Sequence, residues 1–213
     1  MNNYIDIKRE LISCPICQKN DYEILLERNQ KIFTQLGIFS FEITDGICRG
    51  CGFIYQNPRP TQKELDNYYK SKFLHSLGSP DYDISARKKA FNKIIKTPSK
   101  VYEIGAGEGQ FLLELESLGH KVYGYEPSAN TIKPKFALRK LDPPYDVILS
   151  NHVMEHVADL KDFINDIIAK IKLGGIIYFE IPNIHNYNSS TWSIYHEHLL
   201  HFSPQSLIYL LNQ

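Results

Sequence analysis

Between residues 103 and 109 the chain reads Glu103-Ile104-Gly105-Ala106-Gly107-Glu108-Gly109, at the end of an apolar strand pattern. Glycines at a turn from a strand into a helix let the backbone approach a ligand closely, and the helix that follows presents free backbone N–H groups at its N-terminus. The stretch therefore predicts a ligand-binding loop at the start of an α/β domain.

Strand and helix patterns alternate along the chain after this glycine loop. In the second helix pattern apolar residues recur at steps of three and four from Leu160 to Ile171, with Ile167 and Ile168 among them, which predicts one buried stripe. Such alternation is typical of a parallel sheet with helices on both faces. We therefore expect an α/β, Rossmann-like fold with strands at 101–104, 121–125, 146–149 and 176–181 and helices at 110–118 and 160–172.

An acidic residue, Glu126, follows the second strand pattern, 21 residues beyond Gly105. An acid at this distance from a glycine loop is placed to accept hydrogen bonds from the ribose hydroxyls of a cofactor. The dinucleotide fingerprint is Gly-x-Gly-x-x-Gly, whereas here the third glycine, Gly109, comes one residue early and residue 110 is Gln. This spacing disfavours a nicotinamide-dependent oxidoreductase, which we keep as a third hypothesis.

All four cysteines lie in two Cys-x-x-Cys pairs near the N-terminus. Two residues between thiolates let both reach one tetrahedral ion, and two such pairs complete a four-sulfur site with no position left for water. Two disulfides are the alternative, which a reducing cytoplasm disfavours. We therefore predict one structural Zn²⁺ ion bound by Cys14, Cys17, Cys48 and Cys51.

The chain around the cysteine pairs is expected to fold locally. Gly50 and Gly52 are predicted to provide the positive backbone torsions that the turn of the second pair requires. The 30 residues between Cys17 and Cys48 are more than a simple zinc ribbon needs, so we expect a hairpin of 21–26 with 39–43 among them.

Composition limits the classes of partner and compartment. Lys+Arg and Asp+Glu total 24 each, so the chain lacks the basic excess that is typical of nucleic-acid-binding proteins. The longest apolar runs, such as 176–179, are far too short to cross a membrane, and residues 1–10 lack the apolar segment of a secretory signal. We therefore expect a cytoplasmic protein without a nucleic-acid or membrane partner.

Two helices are predicted between the cysteine pairs and the glycine loop. The residues Thr61-Gln62-Lys63-Glu64 form a capping-box pattern that opens a helix through about Tyr69. A basic helix follows at 84–95, and its charged side chains are expected to form a solvated face: Arg87, Lys88, Lys89 and Lys93.

The stretch 101–183 resembles a class I S-adenosylmethionine-dependent methyltransferase. Residues 101–109 match the first motif of that family, and Glu126 matches its ribose-binding acid. Residues 146–156 (Asp-Val-Ile-Leu-Ser-Asn-His-Val-Met-Glu-His) match its fourth motif, and residues 173–183 match the segment around its fifth strand. The resemblance implies S-adenosylmethionine as the cofactor and assigns its binding to Glu103, Gly105, Ala106, Gly107, Gly109, Glu126, Pro127, Asn151 and His152.

Two further features are similar to the sugar C-methyltransferases of deoxysugar biosynthesis, which methylate a carbon beside the ketone of a nucleotide-linked ketosugar. One is the four-cysteine module ahead of the core. The other is Tyr195-His196-Glu197-His198, which resembles their Tyr-x-Glu-His active-site segment. The resemblance places the catalytic base at His198 and a second active-site position at His156, and it makes Glu197 and Tyr195 further catalytic candidates.

The histidine content agrees with that chemistry. Six of the eight histidines lie between His152 and His201. A carbon next to a ketone becomes a nucleophile only after it loses a proton, and histidine has a pKa suited to accepting that proton near neutral pH. Glu197 and Tyr195 are candidates for orienting the base or stabilising the enolate oxygen.

Two parts of the family pattern have no counterpart in this sequence. Only 19 residues, 127–145, separate Glu126 from Asp146, too few for the helix, third strand and loops of a full core. The last two strands of the family, and the C-terminal half of the sugar C-methyltransferases, are also absent. We therefore expect a shortened sheet with the strand order 2-1-4-5, in which 121–125 is an open edge that favours a homodimer.

The sequence thus predicts three segments: a zinc-binding module (1–60), a helical linker or lid (61–98) and a truncated methyltransferase core (99–213). The first functional hypothesis is an S-adenosylmethionine-dependent methyltransferase. It would act on a small-molecule acceptor, a sugar or nucleotide-linked ketosugar, by base-assisted C-methylation in polysaccharide or deoxysugar biosynthesis. The alternative is a truncated, non-catalytic homologue that acts as a zinc-bearing binding or scaffold protein.

Overall fold

The structure is a computed structural model that describes residues 4–34, 37–71, 84–127, 142–189 and 195–213. The chain divides into two compact units. The cysteine unit comprises 1–71, 154–163 and 181–213, and the glycine-loop unit comprises 72–153 and 164–180.

The helices and strands of the described residues follow one another along the chain, and 3₁₀ helices lie at Met154–His156 and Ile184–Ser189. In chain order they are β1 (Tyr4–Asp6), β2 (Arg9–Glu10), β3 (Tyr22–Thr34), β4 (Gly37–Cys48), β5 (Ile54–Gln56), β6 (Arg59–Pro60), α1 (Gln62–Ser71), α2 (Ile84–Ile94), β7 (Lys100–Ile104), α3 (Gln110–Ser117), β8 (Lys121–Tyr125), β9 (Tyr145–Asn151), α4 (Leu160–Lys170), β10 (Ile171–Glu180), β11 (Leu200–His201) and α5 (Pro204–Leu211).

The cysteine unit is built on a mixed sheet around β4. Strand β3 pairs antiparallel along the length of β4, and β1 and β5 pair with shorter stretches of it. The two predicted segments do lie in one hairpin, but their predicted pairing is wrong: 22–26 pair with 45–48, and 39–43 pair with 28–32. The two strands run on to Thr34 and Gly37, which shifts the register. The polar run Glu27-Arg28-Asn29-Gln30-Lys31 conceals this extension in the sequence, because only pairing with β4 makes those residues a strand.

The core of the cysteine unit comes from alternation along β4. Phe39, Phe41 and Ile43 point to one face and are buried together with Tyr68 of α1. Burial of each such side chain stabilises the fold by about 1.5–3 kcal/mol. The alternating apolar residues of β4 therefore hold α1 against the sheet.

The ends of two helices in the cysteine unit follow from local sequence. The Thr61 hydroxyl oxygen accepts a hydrogen bond from the Glu64 backbone N–H at 3.4 Å, as the capping pattern predicts. The Ser203 hydroxyl likewise accepts from the Ser206 backbone N–H at 3.1 Å, and the Ser206 hydroxyl accepts in return from the Ser203 N–H at 2.9 Å. The predicted N-cap at Thr61 is confirmed.

The glycine-loop unit contains a parallel four-stranded sheet in the order β8-β7-β9-β10. This is the predicted order 2-1-4-5, and within the described residues β8 pairs only with β7. The α/β, Rossmann-like fold class is thereby confirmed. Residues 128–141, where the sequence predicts no room for a third strand, lie outside the described residues.

One apolar cluster holds helices α2 and α3 against this sheet. Strands β7, β8 and β9 contribute buried valines and a leucine, the helices contribute phenylalanines and leucines, and the residue after α2 contributes an isoleucine. The cluster consists of Val101, Val122, Val147 and Leu149 with Phe91, Ile95, Phe111, Leu112 and Leu115.

Helix α4 differs from its prediction in two respects. Leu160 and Ile167 are buried, whereas Ile168 is 58% exposed, because the helical period turns it away from the buried face. The helix also ends at Lys170 rather than at 172, and the chain enters β10 at once. The register of β10 against β9 shifts between Ile171 and Ile176, where Gly174 takes a positive φ of 76°.

The two units do not follow the predicted division into 1–60, 61–98 and 99–213. Residues 154–163 and 181–213, predicted as part of the core, are grouped with the cysteine unit. Backbone hydrogen bonds explain this placement, since β11 pairs antiparallel with β5. The three predicted segments stay a proposal about domain boundaries.

None of the helices in the described residues is long and apolar enough to cross a bilayer.

Candidate functional site

The glycine loop between β7 and α3 has the backbone conformation that only glycine adopts easily. Gly105, Gly107 and Gly109 have φ values of 72°, 51° and 76°. A Cβ atom on Gly105 would lie 2.2 Å from the Val153 Cγ2 atom, whereas one on Gly107 would enter open space. Gly105 is therefore required by packing, and Gly107 leaves room beside the loop.

Hydrogen bonds fix this loop against the end of β8. The backbone N–H groups of Gly105 and Ala106 both donate to the Tyr125 carbonyl, at 2.8 and 3.0 Å. The Gly107 N–H donates to the Glu126 Oε2 atom at 2.9 Å. The structure thus brings the predicted ribose-binding acid directly to the predicted cofactor loop, while Pro127 is exposed next to it.

A buried carboxyl group lies at the end of β7, just before the loop. Glu103 Oε1 accepts a hydrogen bond from Asn151 Nδ2 at 2.8 Å, and Glu103 Oε2 and Asn151 Oδ1 have no hydrogen-bond partner among the described residues. Burial raises the pKa of Glu103 to about 7. A half-satisfied buried carboxyl of this kind fits a cationic group of a ligand, such as the ammonium of an amino acid.

His152 belongs to an ion-pair group that the sequence does not reveal. Its φ is 53°, its backbone N–H donates to the Glu180 carbonyl at 2.7 Å, and its Nε2 atom lies 3.1 Å from Glu180 Oε1. Arg87 donates to both oxygens of the same carboxylate, at 3.0 and 2.9 Å. His152 and Arg87 together lower the pKa of Glu180 to about 2.

Arg87 corrects the prediction that the charges of α2 form one solvated face. Its side chain is only 11% exposed and is held by Glu180, and Lys88 pairs with Glu114 at 2.6 Å. Lys89 is exposed as predicted. The sequence carried one sign of this ion pair: position 87 is an arginine, whereas its charged neighbours on α2 are lysines. Arginine is favoured where a side chain binds both oxygens of a carboxylate.

The segment 195–198 is fixed within the cysteine unit by backbone hydrogen bonds. The His198 N–H donates to the Tyr195 carbonyl at 3.0 Å, and the Leu199 N–H donates to the Glu155 carbonyl at 2.8 Å. The Gln56 side-chain amide donates to the His198 carbonyl at 2.9 Å. The predicted catalytic residues therefore gather beside the 3₁₀ helix that carries His156.

His198 and Glu155 are buried and lie beside two half-buried rings, those of Tyr195 and His156. Its ring centroid is 4.2 Å from that of Tyr195 and 4.9 Å from that of His156. Its Nε2 atom is 4.0 Å from Glu155 Oε1, and the His156 Nε2 atom is 3.8 Å from the same oxygen. The Glu155 side chain, which sequence reasoning passed over, is 1% exposed.

The ring of His156 has a defined hydrogen on one nitrogen. Its Nδ1 atom lies 2.8 Å from the Glu197 backbone carbonyl, which can only accept, so Nδ1 carries a proton. The side chain of Glu197 is instead bonded to Tyr68, whose hydroxyl lies 2.8 Å from Glu197 Oε1. The same Oε1 atom lies 3.3 Å from His196 Nε2, so the contacts described for this carboxyl group are with Tyr68 and His196, and its role in orienting the base stays a prediction.

The four cysteine thiols converge in the cysteine unit. The Sγ atoms of Cys14 and Cys51 are 3.6 Å apart and those of Cys17 and Cys48 are 3.4 Å apart. All four sulfurs lie within 4.8 Å of one another, and all four thiols are free. Sulfurs around a tetrahedral Zn²⁺ with Zn–S bonds of about 2.3 Å would be roughly 3.8 Å apart, so the set fits zinc and not two disulfides.

The two cysteine turns repeat the same backbone pattern. The first cysteine of each pair accepts at its carbonyl from the N–H four residues on, at 3.0 Å from Gln18 and 2.8 Å from Gly52. These two residues have positive φ values of 61° and 74°. The predicted positive torsion is thus confirmed for Gly52, whereas Gly50 is not in that region and instead donates its N–H to Cys48 Sγ at 3.3 Å.

Comparison with solved structures finds methyltransferases among the similar chains. Coclaurine N-methyltransferase, bound to N-methylheliamine and SAH, is 12% identical with a TM-score of 0.45, over 71% of this chain and 57% of that chain. The glycopeptide N-methyltransferase MtfA is 13% identical with a TM-score of 0.38, over 55% and 62%. The T. thermophilus 16S rRNA N2 G1207 methyltransferase (RsmC), in complex with AdoMet and guanosine, is 18% identical with a TM-score of 0.39, over 76% and 44%.

The chain therefore spans less than two thirds of the length of each of these three structures. A search of curated proteins finds no match. The family model described as a methyltransferase domain matches residues 79–213, more than half of the chain. That range includes the glycine loop, Glu126 and the segment 195–198. This chain therefore belongs to the methyltransferase domain family.

Proposed function

We propose that this protein is an S-adenosylmethionine-dependent methyltransferase that methylates a carbon beside the ketone of a sugar or nucleotide-linked ketosugar, in polysaccharide or deoxysugar biosynthesis. The observation that carries the proposal is the group of side chains around buried His198, which combines its imidazole with the rings of Tyr195 and His156 and with the buried Glu155 carboxylate. Removal of a proton from carbon requires a base of this kind.

The residues of the glycine-loop unit fit the cofactor. The backbone of Gly105–Gly109 would lie beside its amino-acid portion, Glu103 Oε2 would meet its ammonium group, and Glu126 would accept from the ribose hydroxyls, with Asn151 and His152 at the neighbouring strand end. When bound, S-adenosylmethionine supplies an electrophilic methyl group on a positively charged sulfur. Half-satisfied Glu103 and the open space beside Gly107 support this assignment.

His198 would act on the acceptor as the general base. The C–H electron pair would become the carbon–carbon double bond of an enolate, the carbonyl π pair would move to oxygen, and the proton would go to the His198 ring. The Glu155 carboxylate, with Oε1 at 4.0 Å from His198 Nε2, would stabilise the imidazolium that results. The enolate carbon would then be the nucleophilic atom of the acceptor. Tyr195, Glu197 and His156 would bind the acceptor around it.

The cysteine thiols would hold one structural Zn²⁺ ion. With four protein ligands the ion has no open position for water or substrate, so it would stabilise the cysteine unit and take no part in the transfer. The matching hydrogen-bond pattern of the two turns supports this assignment.

A zinc-bearing binding or scaffold protein without catalysis is the second candidate. The observation that favours it is the four-stranded sheet of the described residues in the glycine-loop unit. Buried groups without a full set of partners, such as Glu103, argue against it, because a fold without a ligand has no reason to retain them.

Two measurements test the function. Calorimetric titration with S-adenosylmethionine should show binding; absence of binding would leave the scaffold candidate. Incubation in D₂O with a thymidine-diphosphate-linked 4-keto-6-deoxyhexose should exchange the hydrogen beside the ketone for deuterium, followed by NMR. Cofactor binding without deuterium exchange would leave the methyltransferase proposal in place and reject C-methylation of this class of sugar.

We also propose a cytoplasmic homodimer that pairs through β8. Among the described residues β8 has a neighbour on one side only, and Tyr125 is 48% exposed at its end. An unpaired strand edge offers backbone groups to a second chain. Light scattering should give twice the mass of 24.7 kDa, and a monomer at micromolar concentration would reject the dimer.

A further inference from the structure

Glu155, His156 and His198 bring three metal-binding atoms together in the cysteine unit. The Glu155 Oε1 atom lies 3.8 Å from His156 Nε2 and 4.0 Å from His198 Nε2. One ligand atom from each of the three residues lies within 4.8 Å of the other two. Both nitrogen–oxygen distances are longer than a hydrogen bond, so this is a spacing that an ion between the atoms would bridge.

The ring of His156 is oriented as in a metal ligand. Its Nδ1–H donates to the Glu197 backbone carbonyl at 2.8 Å, so in the neutral ring the lone pair is on Nε2, the atom that faces Glu155. Histidines that bind metals almost always donate their other ring N–H to a carbonyl, a carboxylate or water, which fixes the tautomer that the ion requires. The hydrogen bond to Glu197 therefore prepares Nε2 for an ion.

The charge of Glu155 points the same way. Its side chain is 1% exposed, and carboxylates buried to this extent are paired or bind metal ions. A carboxylate oxygen has two lone pairs and an imidazole has two nitrogens. Each of the three side chains can thus bind an ion through one position and keep a hydrogen bond at another.

The ligand types and their spacing fit a divalent transition ion. A tetrahedral ion with bonds of about 2.1 Å places its ligands roughly 3.4 Å apart, so these atoms would approach one another by roughly half an ångström. Two imidazoles and a carboxylate suit Zn²⁺ or Co²⁺, whereas Mg²⁺ and Ca²⁺ prefer oxygen ligands. The nearby His201 is bonded through Nε2 to Asp45 at 3.1 Å and does not belong to the set.

We propose that Glu155, His156 and His198 form a second metal site, which binds a divalent transition ion and, when filled, inhibits catalysis. The inhibition rests on the proposed function, in which a lone pair of the His198 ring takes a proton from the acceptor. An ion on that nitrogen occupies the lone pair, so the ring no longer acts as a base. Because four thiolates bind such an ion more tightly than this set does, the second site fills after the cysteine site.

Equilibrium dialysis of the purified protein against Co²⁺, followed by metal analysis, tests the site. The parent should bind one ion per chain beyond that held by the cysteines, and His156→Gln and Glu155→Gln should each weaken its binding at least about tenfold. His156→Gln removes the ligand nitrogen but keeps an N–H for the Glu197 carbonyl. Exposed His185→Ala is the matched control and should bind as the parent does. No further ion in the parent, or unchanged binding in either glutamine variant, would overturn the site.

The inhibitory role is tested by deuterium exchange into the thymidine-diphosphate-linked ketosugar. Co²⁺ that saturates the second site should slow the exchange at least about tenfold, and removal of the ion by dialysis should restore the rate. The same concentration of Mg²⁺, which also binds diphosphates, should slow it less than about twofold. Exchange at the parental rate with Co²⁺ bound would reject the inhibition. A parent protein that exchanges no deuterium rejects the proposed function, while the dialysis still decides the metal site.

Discussion

The Glu126 carboxylate accepts a hydrogen bond from the backbone N–H of Gly107 at 2.9 Å. This contact joins the residue after β8 to the loop after β7, which the parallel pairing of the two strands brings side by side. It gives the acid a fixed position at the carboxyl ends of the strands, where ligands of open α/β sheets bind.

Replacement of Glu126 should therefore weaken cofactor binding without unfolding the protein. Glu126→Ala removes the acceptor for the ribose hydroxyls and should cost about 1.5–3 kcal/mol, or roughly 10- to 150-fold in the dissociation constant. Calorimetric titration with S-adenosylmethionine measures this change. The matched control is Glu108→Ala in the same loop, which should bind as the parent does. An equal loss of cofactor affinity in both variants would show that the affinity depends only on the charge of the loop and not on the position of Glu126.

Glu103 should make stability fall as the pH rises. Burial raises its pKa from an ordinary 4.5 to about 7, so the folded state holds a proton that the unfolded chain releases between these values. The stability is full below pH 4.5 and is lost as the pH rises through 7, by up to about 3 kcal/mol. Glu103→Gln, which cannot ionise, should lose less stability than the parent between pH 5 and pH 8.

Urea unfolding at the two pH values measures this difference. Glu108→Gln at the exposed loop position serves as the control and should follow the parent at both. If Glu103→Gln also follows the parent, the Glu103 carboxyl is not the group that titrates.

Sequence patterns predict the glycine-loop unit closely, because its elements are set by local signals. Strand β8 has the predicted bounds, and β7 and α3 differ from theirs by one residue. Each is a short apolar run ended by a glycine or an acid, so neighbouring residues suffice to define it. The parallel order then follows from the alternation of strands and helices.

Long-range pairings were the part that could not be predicted. Arg87 and Glu180 are 93 residues apart in the chain, and the separation between β11 and β5 is larger still, since Leu200 pairs with Tyr55. Neither pairing changes the local periodicity of apolar residues, which is all that a single sequence reveals. The contact of His198 with Glu155 has the same origin, and the motif indicated the histidine but not its acidic neighbour.

Arg87→Ala should destabilise the glycine-loop unit by about 1–2 kcal/mol at pH 7, since it removes two charge-assisted hydrogen bonds from a partly buried carboxylate. The pKa of Glu180 is lowered to about 2. The stabilisation that the Arg87–Glu180 ion pair gives the folded state is therefore full above about pH 4.5 and is lost as the pH falls towards 2. Chemical unfolding should thus show a smaller difference between variant and parent at pH 3 than at pH 7.

Lys89→Ala, on the same helix but exposed, is the control and should change stability by less than about 0.5 kcal/mol. A loss as large as that of Arg87→Ala would indicate a general effect of charge on α2.

Purified protein should contain one zinc ion per chain. Because metal binding and folding are coupled in such sites, a chelator should unfold the region around residues 14–51 and expose it to proteolysis. Cys48→Ser should abolish the zinc content. Gly50→Ala should keep it, because the nearest atom to the added Cβ belongs to the flexible side chain of Lys19, and the Cys17 sulfur is at an ordinary contact distance of 3.4 Å. Metal analysis with thiol titration decides: no zinc and four reactive thiols would reject the site.

His198→Ala should abolish deuterium exchange at the carbon beside the ketone, because it removes the proposed base. The loss expected for a general base is about 10²- to 10⁴-fold. S-adenosylmethionine binding should persist, since the predicted cofactor residues belong to the glycine-loop unit and His198 to the cysteine unit. His185→Ala, at an exposed position of the same unit, is the matched control. Exchange at the parental rate in His198→Ala would make this histidine a structural residue, and C-methylation would lose the observation that carries it.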